Sequence, residues 1–483
     1  MHYPVKFGTS GHRGIIGKSF THTHVSAICK AIAVLLTKIN PNPKVIIGYD
    51  PREGNNPLAL DNTFTQTCIA TLHANGVSPI FLPNYTPTPV VSWAITHYHL
   101  DGGIILTASH NPPEYNGLKF NTRNGAPADT TTTSAIEKLA NEFLNTSSPA
   151  HPHYTPSPTD NIPLTFATEL QKTLTQLITP THPITFPIVI DAKHGAVGDF
   201  WEVMLSQATS SPFKIIHKAP DSHFKNIIPN PTKIESLGPL KEAQAMLQAP
   251  IAIANDPDGD RHVILDETGT PLSPEETTVI IADYFMSKKI PLSDIITTVA
   301  SSRLIKKFCI QHSINYIETP VGFKYIATHL HSAKSTQKIA FGVESSGGFS
   351  ASFHTMEKCG FLPALLIIYI LADTQKTLSQ LKSKLKSDFG QDYFVEVEHH
   401  FNATQQQHIQ ALLKTSTLYD LRLKTGLAIE KIDIQDGLKL SLPNDDWVLI
   451  RLSGTEPIAR IYAESASQQT ANHLIATAKS LLS

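Results

Sequence analysis

An excess of charge of either sign is missing from this 483-residue chain, in which 39 Lys and Arg stand against 41 Asp and Glu for a net charge of −2. With no global field to draw in a polyanion or an acidic bilayer, nucleic acid is not expected as a partner. Charged residues are scarce altogether, at 17% against roughly 25% in an average domain. The 41% of hydrophobic residues exclude a largely disordered chain. The four cysteines, Cys29, Cys68, Cys309 and Cys359, lack the short spacings of a zinc site or a disulfide framework. Long hydrophobic runs are missing too: the longest, Phe361 to Ala372, has 12 residues and contains Pro363. A bilayer needs roughly 20, so no membrane association is expected. The opening MHYPVKFGTSGHRG shows no charged-then-apolar leader, and the expectation is a cytoplasmic protein.

What is present is length, which at roughly 100 to 200 residues per domain predicts three or four domains. Ile136, Leu139, Ala140, Phe143 and Leu144 share one helical face and close a first unit. The proline-rich stretch from Thr146 to Pro163 reads as a linker. Three short apolar runs read as buried strands that open into polar loops. They are Gly103 to Leu106 before TASHN, Ile251 to Ile253 before NDPDGDR, and Ile339 to Phe341 before GVESSGG. They predict three α/β units whose loops lie beyond strand carboxyl ends, where ligands of open α/β sheets collect. The last stretch changes character: Tyr393 to Val397, Ala428 to Ile434, Leu438 to Leu442, Val448 to Leu452 and Ile458 to Ala463 read as strands, and Thr470 to Leu482 as a helix. That is a smaller α+β unit in which RLSGTEP joins two strands.

In NDPDGDRH, alternation sends Asp256, Asp258 and Asp260 to one side of an extended loop. Three unpaired carboxylates so close repel one another, so a hard cation is expected among them. Mg²⁺ suits oxygen ligands with room left for a substrate phosphate. A solvated acidic turn or a calcium loop is the alternative, the latter weakened by the missing bidentate Glu of an EF-hand. Arg261 could pair with the acids or reach a phosphate. TASHNPPEYNGLKF puts Ser109 just past a strand, a nucleophile or phosphate carrier if a base and a cation are near, with His110 and Lys119 as candidate proton handlers. Ordinary turn chemistry explains the same residues. RLSGTEP offers Arg451, Ser453, Gly454 and Thr455 as a phosphate clamp, against the alternative of a polar hairpin. FGTSGHRG, with Arg13, could cradle an anion, and Glu344 and Ser346 of GVESSGG could contact sugar hydroxyls. Positioning and charge neutralisation are what phosphoryl transfer requires, so the combination predicts a phosphotransferase acting on a phosphorylated substrate.

FGTSGHRG, TASHNPPEYNGLKFN, NDPDGDRH, TPVGFK, GVESSGG and RLSGTEP, in this order from Phe7 to Pro457, resemble the α-D-phosphohexomutase superfamily, and within it phosphoglucomutases. The resemblance implies an α/β fold of four domains around a cleft, three of related α/β topology and a C-terminal α+β one resembling the TATA-binding protein. Divided accordingly, the chain gives 1–150 with the phosphoserine loop, 151–270 with the metal loop, 271–388 with the sugar loop and 389–483 with the phosphate clamp. By motif position Ser109 resembles the phosphoserine, and Asp256, Asp258 and Asp260 with a phosphoserine oxygen resemble the Mg²⁺ site. Lys119 and Arg13 resemble the residues assisting proton transfer and stabilising the transferring group, with His110 beside the nucleophile. Glu344 and Ser346 resemble sugar contacts, Lys324 a further cleft contact, and Arg451, Ser453 and Thr455 the distal phosphate clamp.

The implied activity is interconversion of glucose 1-phosphate and glucose 6-phosphate through a glucose 1,6-bisphosphate that also serves as activator. The protein is then a monomer or homodimer whose partner is a hexose phosphate. Ser345 stands where glucose-specific members carry a second Glu, so a dual phosphomannomutase/phosphoglucomutase is the alternative. A glucosamine-phosphate mutase fits the sugar loop less well. A metal-dependent sugar phosphatase and a non-catalytic sensor are the other classes considered, the sensor being disfavoured by the retention of Ser109 and all three acids.

Overall fold

The computed structural model describes residues 3–58, 62–145, 161–178, 180–402, 417–452 and 458–482, together with positions 405, 409, 410 and 412. Its first sheet takes β1 (Phe7–Gly8), β2 (Gly11–Ile15), β3 (Lys44–Tyr49), β4 (Ser78–Phe81), β5 (Gly102–Leu106) and β6 (Tyr115–Thr122) in the order β1-β2-β6-β5-β3-β4. β3 lies parallel to β4 and β5, and β6 returns antiparallel to β5. The second sheet orders β7 (Ile188–Asp191), β8 (Phe213–Ile216), β9 (Ile251–Asn255) and β10 (His262–Leu265) as β10-β9-β7-β8. The third orders β11 (Leu292–Thr298), β12 (Asn315–Thr319), β13 (Ile339–Val343) and β14 (Phe349–Ala351) as β12-β11-β13-β14. In each, three parallel strands reach one edge of the sheet and, along the chain, an antiparallel strand follows the last of them.

This shared plan positions the site. The connection that leaves a parallel strand and returns antiparallel carries Ser109 between β5 and β6, Asp256 to Asp260 between β9 and β10, and Glu344 to Ser346 between β13 and β14. β5 and β9 are buried along their whole length, as strands covered on both faces are, which is why they read as continuous apolar runs. The fourth sheet is antiparallel throughout and orders β15 (Tyr393–His400), β16 (Lys431–Asp433), β17 (Leu438–Ser441), β18 (Trp447–Leu452) and β19 (Ile458–Ser465) as β15-β19-β18-β17-β16. The helix Gln468–Leu482 packs on it.

The three α/β units share an apolar core beside clusters of their own, such as the one around Val25, Ile47 and Ile136 in the first and the one around Val189, Leu240 and Leu265 in the second. One apolar cluster runs from Ile46 and Trp93 through Phe166, Trp201 and Ile253 to Phe285, Phe341 and Ile368. At its centre lies the helix Phe361–Thr374, buried at every position from Phe361 to Ala372. The longest apolar run is thus a core helix. Among the described residues no single helix is long and apolar enough to cross a membrane. The fourth sheet has its own core around Ile450, Ile461 and Leu474.

The proposed linker needs correction at its end. Asn161 caps the helix Ile162–Leu177 by accepting from the Leu164 amide, with Pro163 in the first turn. Asn at the cap and Pro just inside are helix-start chemistry, which a proline-rich context disguises as loop. Residues 146–160 of that linker lie outside the described residues. The predicted strand from Ala428 to Ile434 shortens to Lys431–Asp433.

Candidate active site

Ser109 is buried, 1% exposed, with φ of 54°, a backbone region costly for a residue with a Cβ. Its amide donates to Thr107 Oγ1 at 2.8 Å, and its Oγ donates to Asp256 Oδ2 at 2.6 Å. His110 Nδ1 is 3.4 Å from the same Oγ. Asp256, Asp258 and Asp260 are all buried, each offering an oxygen within 4.8 Å of the others. Gly259, at φ of 69°, supplies the turn between the last two acids.

Lys119, on β6, answers the acids from the neighbouring unit: Nζ is 2.6 Å from Asp258 Oδ2 and 2.7 Å from Asp260 Oδ2. Lys358 Nζ reaches Asp260 Oδ2 at 3.3 Å, and Thr88 Oγ1 donates to Asp258 Oδ2 at 2.6 Å. Burial raises all three carboxyls, but unequally. Asp256, buried next to the charges of Asp258 and Asp260, which outweigh Arg261 and Ser109, stands well above the usual carboxylate range. Against burial and the Asp260 charge, Lys119 still brings Asp258 below that range, and Lys119, Lys358 and Arg261 hold Asp260 well below it. Burial, and then the charges of Arg261 and Arg13, hold His110 well below 6.5.

Arg13 donates to Asn111 Oδ1 at 2.7 Å and to Ser10 Oγ at 3.0 Å, which places its guanidinium beside the serine loop. The Arg261 amide donates to Asp256 Oδ1 at 3.0 Å. The loops interlock. Thr88 N donates to Asp258 O at 2.8 Å, His262 N donates to Gly347 O at 3.1 Å, and Arg261 bridges to Gly348. Glu344 accepts from the Gly322 amide at 3.1 Å, and burial raises its carboxyl. Ser346 is half-buried in the same loop.

Lys324 and Arg451 are not joined to this cluster by any hydrogen bond or ion pair among the described residues. Lys324 Nζ lies 5.2 Å from the Tyr325 ring centre, and Arg451 Nε donates to Asp436 Oδ2 at 2.7 Å. Ser453, Gly454 and Thr455 lie outside the described residues. Sequence reasoning missed Arg52, Thr88 and Lys358. Arg52 follows β3 as Ser109 follows β5, so the strand-end rule could have found it, whereas nothing local to Thr88 or Lys358 points at the acids.

The residues fit a divalent cation. Asp258 Oδ1 and Asp260 Oδ1 are buried with no hydrogen-bond partner among the described residues, Arg261 Nε standing 3.9 Å from the latter, a state that costs free energy unless a positive group satisfies it.

Four family models describe the phosphoglucomutase/phosphomannomutase family and match the chain in order: α/β/α domain I over 4–146, domain II over 165–269, domain III over 273–389 and the C-terminal domain over 403–479. A Methanobrevibacter smithii protein named "Probable phosphoglucosamine mutase" is 30% identical, the match covering 95% of this chain and 94% of that one. The chain belongs to the phosphoglucomutase/phosphomannomutase family. A member from Thermococcus kodakarensis named "Phosphoglucomutase/phosphomannomutase" is 28% identical over 97% of this chain and 96% of its own. The solved structure of a family protein from Burkholderia thailandensis superimposes with a TM-score of 0.77 at 20% identity, over 100% of this chain and 98% of that one, and shows the same fold. The chain is therefore a phosphohexomutase, an enzyme that moves a phosphoryl group within its substrate.

Proposed function

We propose that this phosphohexomutase interconverts glucose 1-phosphate and glucose 6-phosphate with Ser109 as the phosphoryl carrier. The observation that carries the reading is the Ser109 hydroxyl 2.6 Å from Asp256, inside a set of three buried carboxylates of which two oxygens have no hydrogen-bond partner among the described residues. A Mg²⁺ ion held by Asp256, Asp258, Asp260 and a phosphoserine oxygen would neutralise charge on the transferring group. The bond from Ser109 Oγ to phosphorus breaks as a sugar hydroxyl oxygen bonds to it, and the hydroxyl proton passes by way of His110, 3.4 Å from the serine oxygen, to the departing Ser109 Oγ. Arg13 and Lys119 stabilise the transferring group. Glu344 and Ser346 hold sugar hydroxyls, with Lys324 and Arg261 as further contacts. Arg451, with Ser453, Gly454 and Thr455, holds the phosphate that is not reacting. The glucose 1,6-bisphosphate so formed turns over, returns its other phosphoryl group to Ser109, and also serves as activator.

Ser109→Ala should fold normally and lose turnover; substantial activity in that variant would sink the assignment. The sugar is tested by comparing kcat/KM for glucose 1-phosphate, mannose 1-phosphate and glucosamine 1-phosphate, each with Mg²⁺ and its bisphosphate. A strong glucose preference supports the reading. Comparable glucose and mannose rates give the dual enzyme, which the Ser345 departure and the name of the Thermococcus relative favour as the second reading.

A further inference from the structure

The least expected residue near Ser109 is Arg52, 1% exposed. Guanidinium has five N–H donors in a fixed fork, and here all five are used. Nε donates to Asp50 Oδ2 at 3.1 Å. Nη1 donates to the carbonyls of Pro112 at 2.7 Å and Tyr115 at 2.8 Å. Nη2 donates to those of Ser109 at 2.6 Å and Asn111 at 2.7 Å. Four carbonyls of the loop from Ser109 to Tyr115 therefore converge on one side chain. Asp50 closes the arrangement from the other end. Its Oδ2 also accepts from Thr107 Oγ1 at 2.6 Å, and Thr107 Oγ1 accepts from the Ser109 amide at 2.8 Å. Both sides of the Ser109 backbone, amide and carbonyl, are thus tied to the Asp50–Arg52 pair.

The pair sits there because β3 and β5 are parallel neighbours, Tyr49 opposite Leu106, so the residues that follow them emerge side by side. The metal-loop unit adds a lid. The Phe224 ring, fully buried, lies 4.9 Å from the Arg52 guanidinium carbon. Phe224, Lys225 and Asn226 all have positive φ, at 53°, 46° and 61°. Strained backbone of this kind persists only where its surroundings over-determine it.

We infer that Arg52 is a positioning residue for phosphoryl transfer: with Asp50 and Thr107 it holds Ser109 in its left-handed conformation, and Phe224 couples that hold to the unit carrying the acidic loop. This rests on the reading of Ser109 as the phosphoryl carrier. Lys at position 52 keeps the charge but has three donors on one nitrogen, and cannot span four carbonyls in a plane. Arg52→Lys should lower kcat by about 100-fold, the order expected for a misplaced reacting group, with KM within about threefold. Phosphorylation of Ser109 by glucose 1,6-bisphosphate, followed by intact mass, should slow in parallel.

A folded Arg52→Lys protein with kcat and Ser109 phosphorylation near wild type overturns the inference. If Arg52→Lys does not fold, the decision passes to Thr107→Val, which keeps the shape and removes the hydroxyl relay, with Thr107→Ser as the rescue. Loss of kcat in the valine variant restored by serine supports the inference, and a fully active valine variant overturns it. Ser109→Ala runs alongside. Turnover in that variant fails the underlying assignment, whereas an inactive Ser109→Ala beside an active Arg52→Lys fails only the positioning role.

Discussion

Lys119 holds two carboxylates on one ammonium, and the burial of all three groups makes the arrangement sensitive to its loss. Removing one partner of a buried ion pair leaves charge uncompensated, typically at about 3 to 5 kcal/mol. Lys119→Met should therefore melt earlier than wild type without divalent cation, and Mg²⁺ should restore more of its Tm than it adds to wild type. Equal Mg²⁺ responses in calorimetry would show that lysine and cation do not share these oxygens. Asp258→Asn removes a carboxylate instead: it should bind Mg²⁺ more weakly and turn over more slowly, and full activity at wild-type Mg²⁺ concentrations would count against the metal site. Ser109, Asp256, Asp258 and Asp260 were legible because each motif is contiguous and its chemistry is written in neighbouring positions. Arg52 and Thr88 were not, because their partners stand 57 and 170 positions away, and only the folded chain brings them together.

At the scale of elements, apolar runs marked the central strands well, since strands covered on both faces have little freedom of composition. Edge strands such as Lys431–Asp433 are half-exposed and left a weaker signal. The helix Pro274–Ser287 shows what capping chemistry adds. Ser273 and Glu276 form its capping box, and between them Glu275 is buried, accepting from the Ser302 amide at 3.2 Å. Burial, opposed by amide donors and helped to a lesser degree by the charge of Glu464, pushes its carboxyl from 4.5 up to about 7. The folded chain thus holds this proton more tightly than the unfolded one, and stability falls as pH rises from about 4.5 through about 7. Glu275→Gln carries no such penalty. In urea titrations it should match wild type near pH 4.5 and exceed it by about 3 kcal/mol at pH 8. A gap that does not grow with pH would show that Glu275 ionises without cost.

For the whole molecule, the contrast lies between the shared apolar core of the first three units and the joint to the fourth. Among the described residues that joint has a small apolar cluster, Val299, Ala300, Trp447, Leu449 and Tyr462 with Val321 and Phe394 packed on it, and a set of ion pairs. Arg303 meets Asp392 at 2.5 Å and Asp446 at 3.3 Å, and Lys439 meets Glu318 at 3.1 Å. At its mouth Asp436 Oδ2 accepts from both Arg451 Nε, at 2.7 Å, and the Val321 amide, at 2.8 Å. The next amide, Gly322, donates to Glu344. One carboxylate thus ties the proposed phosphate clamp to the segment that carries the sugar loop's partner, and sets where the guanidinium points. Asp436→Ala should free Arg451 and raise KM for the hexose phosphate by about tenfold, equal to about 1.4 kcal/mol, while kcat changes less because Ser109 and the acids are untouched. The rise should be steeper at low ionic strength, where the lost charge contact is least screened. An unchanged KM would mean that Arg451 is oriented by the substrate phosphate alone, and that the joint serves assembly of the fourth unit without shaping its clamp.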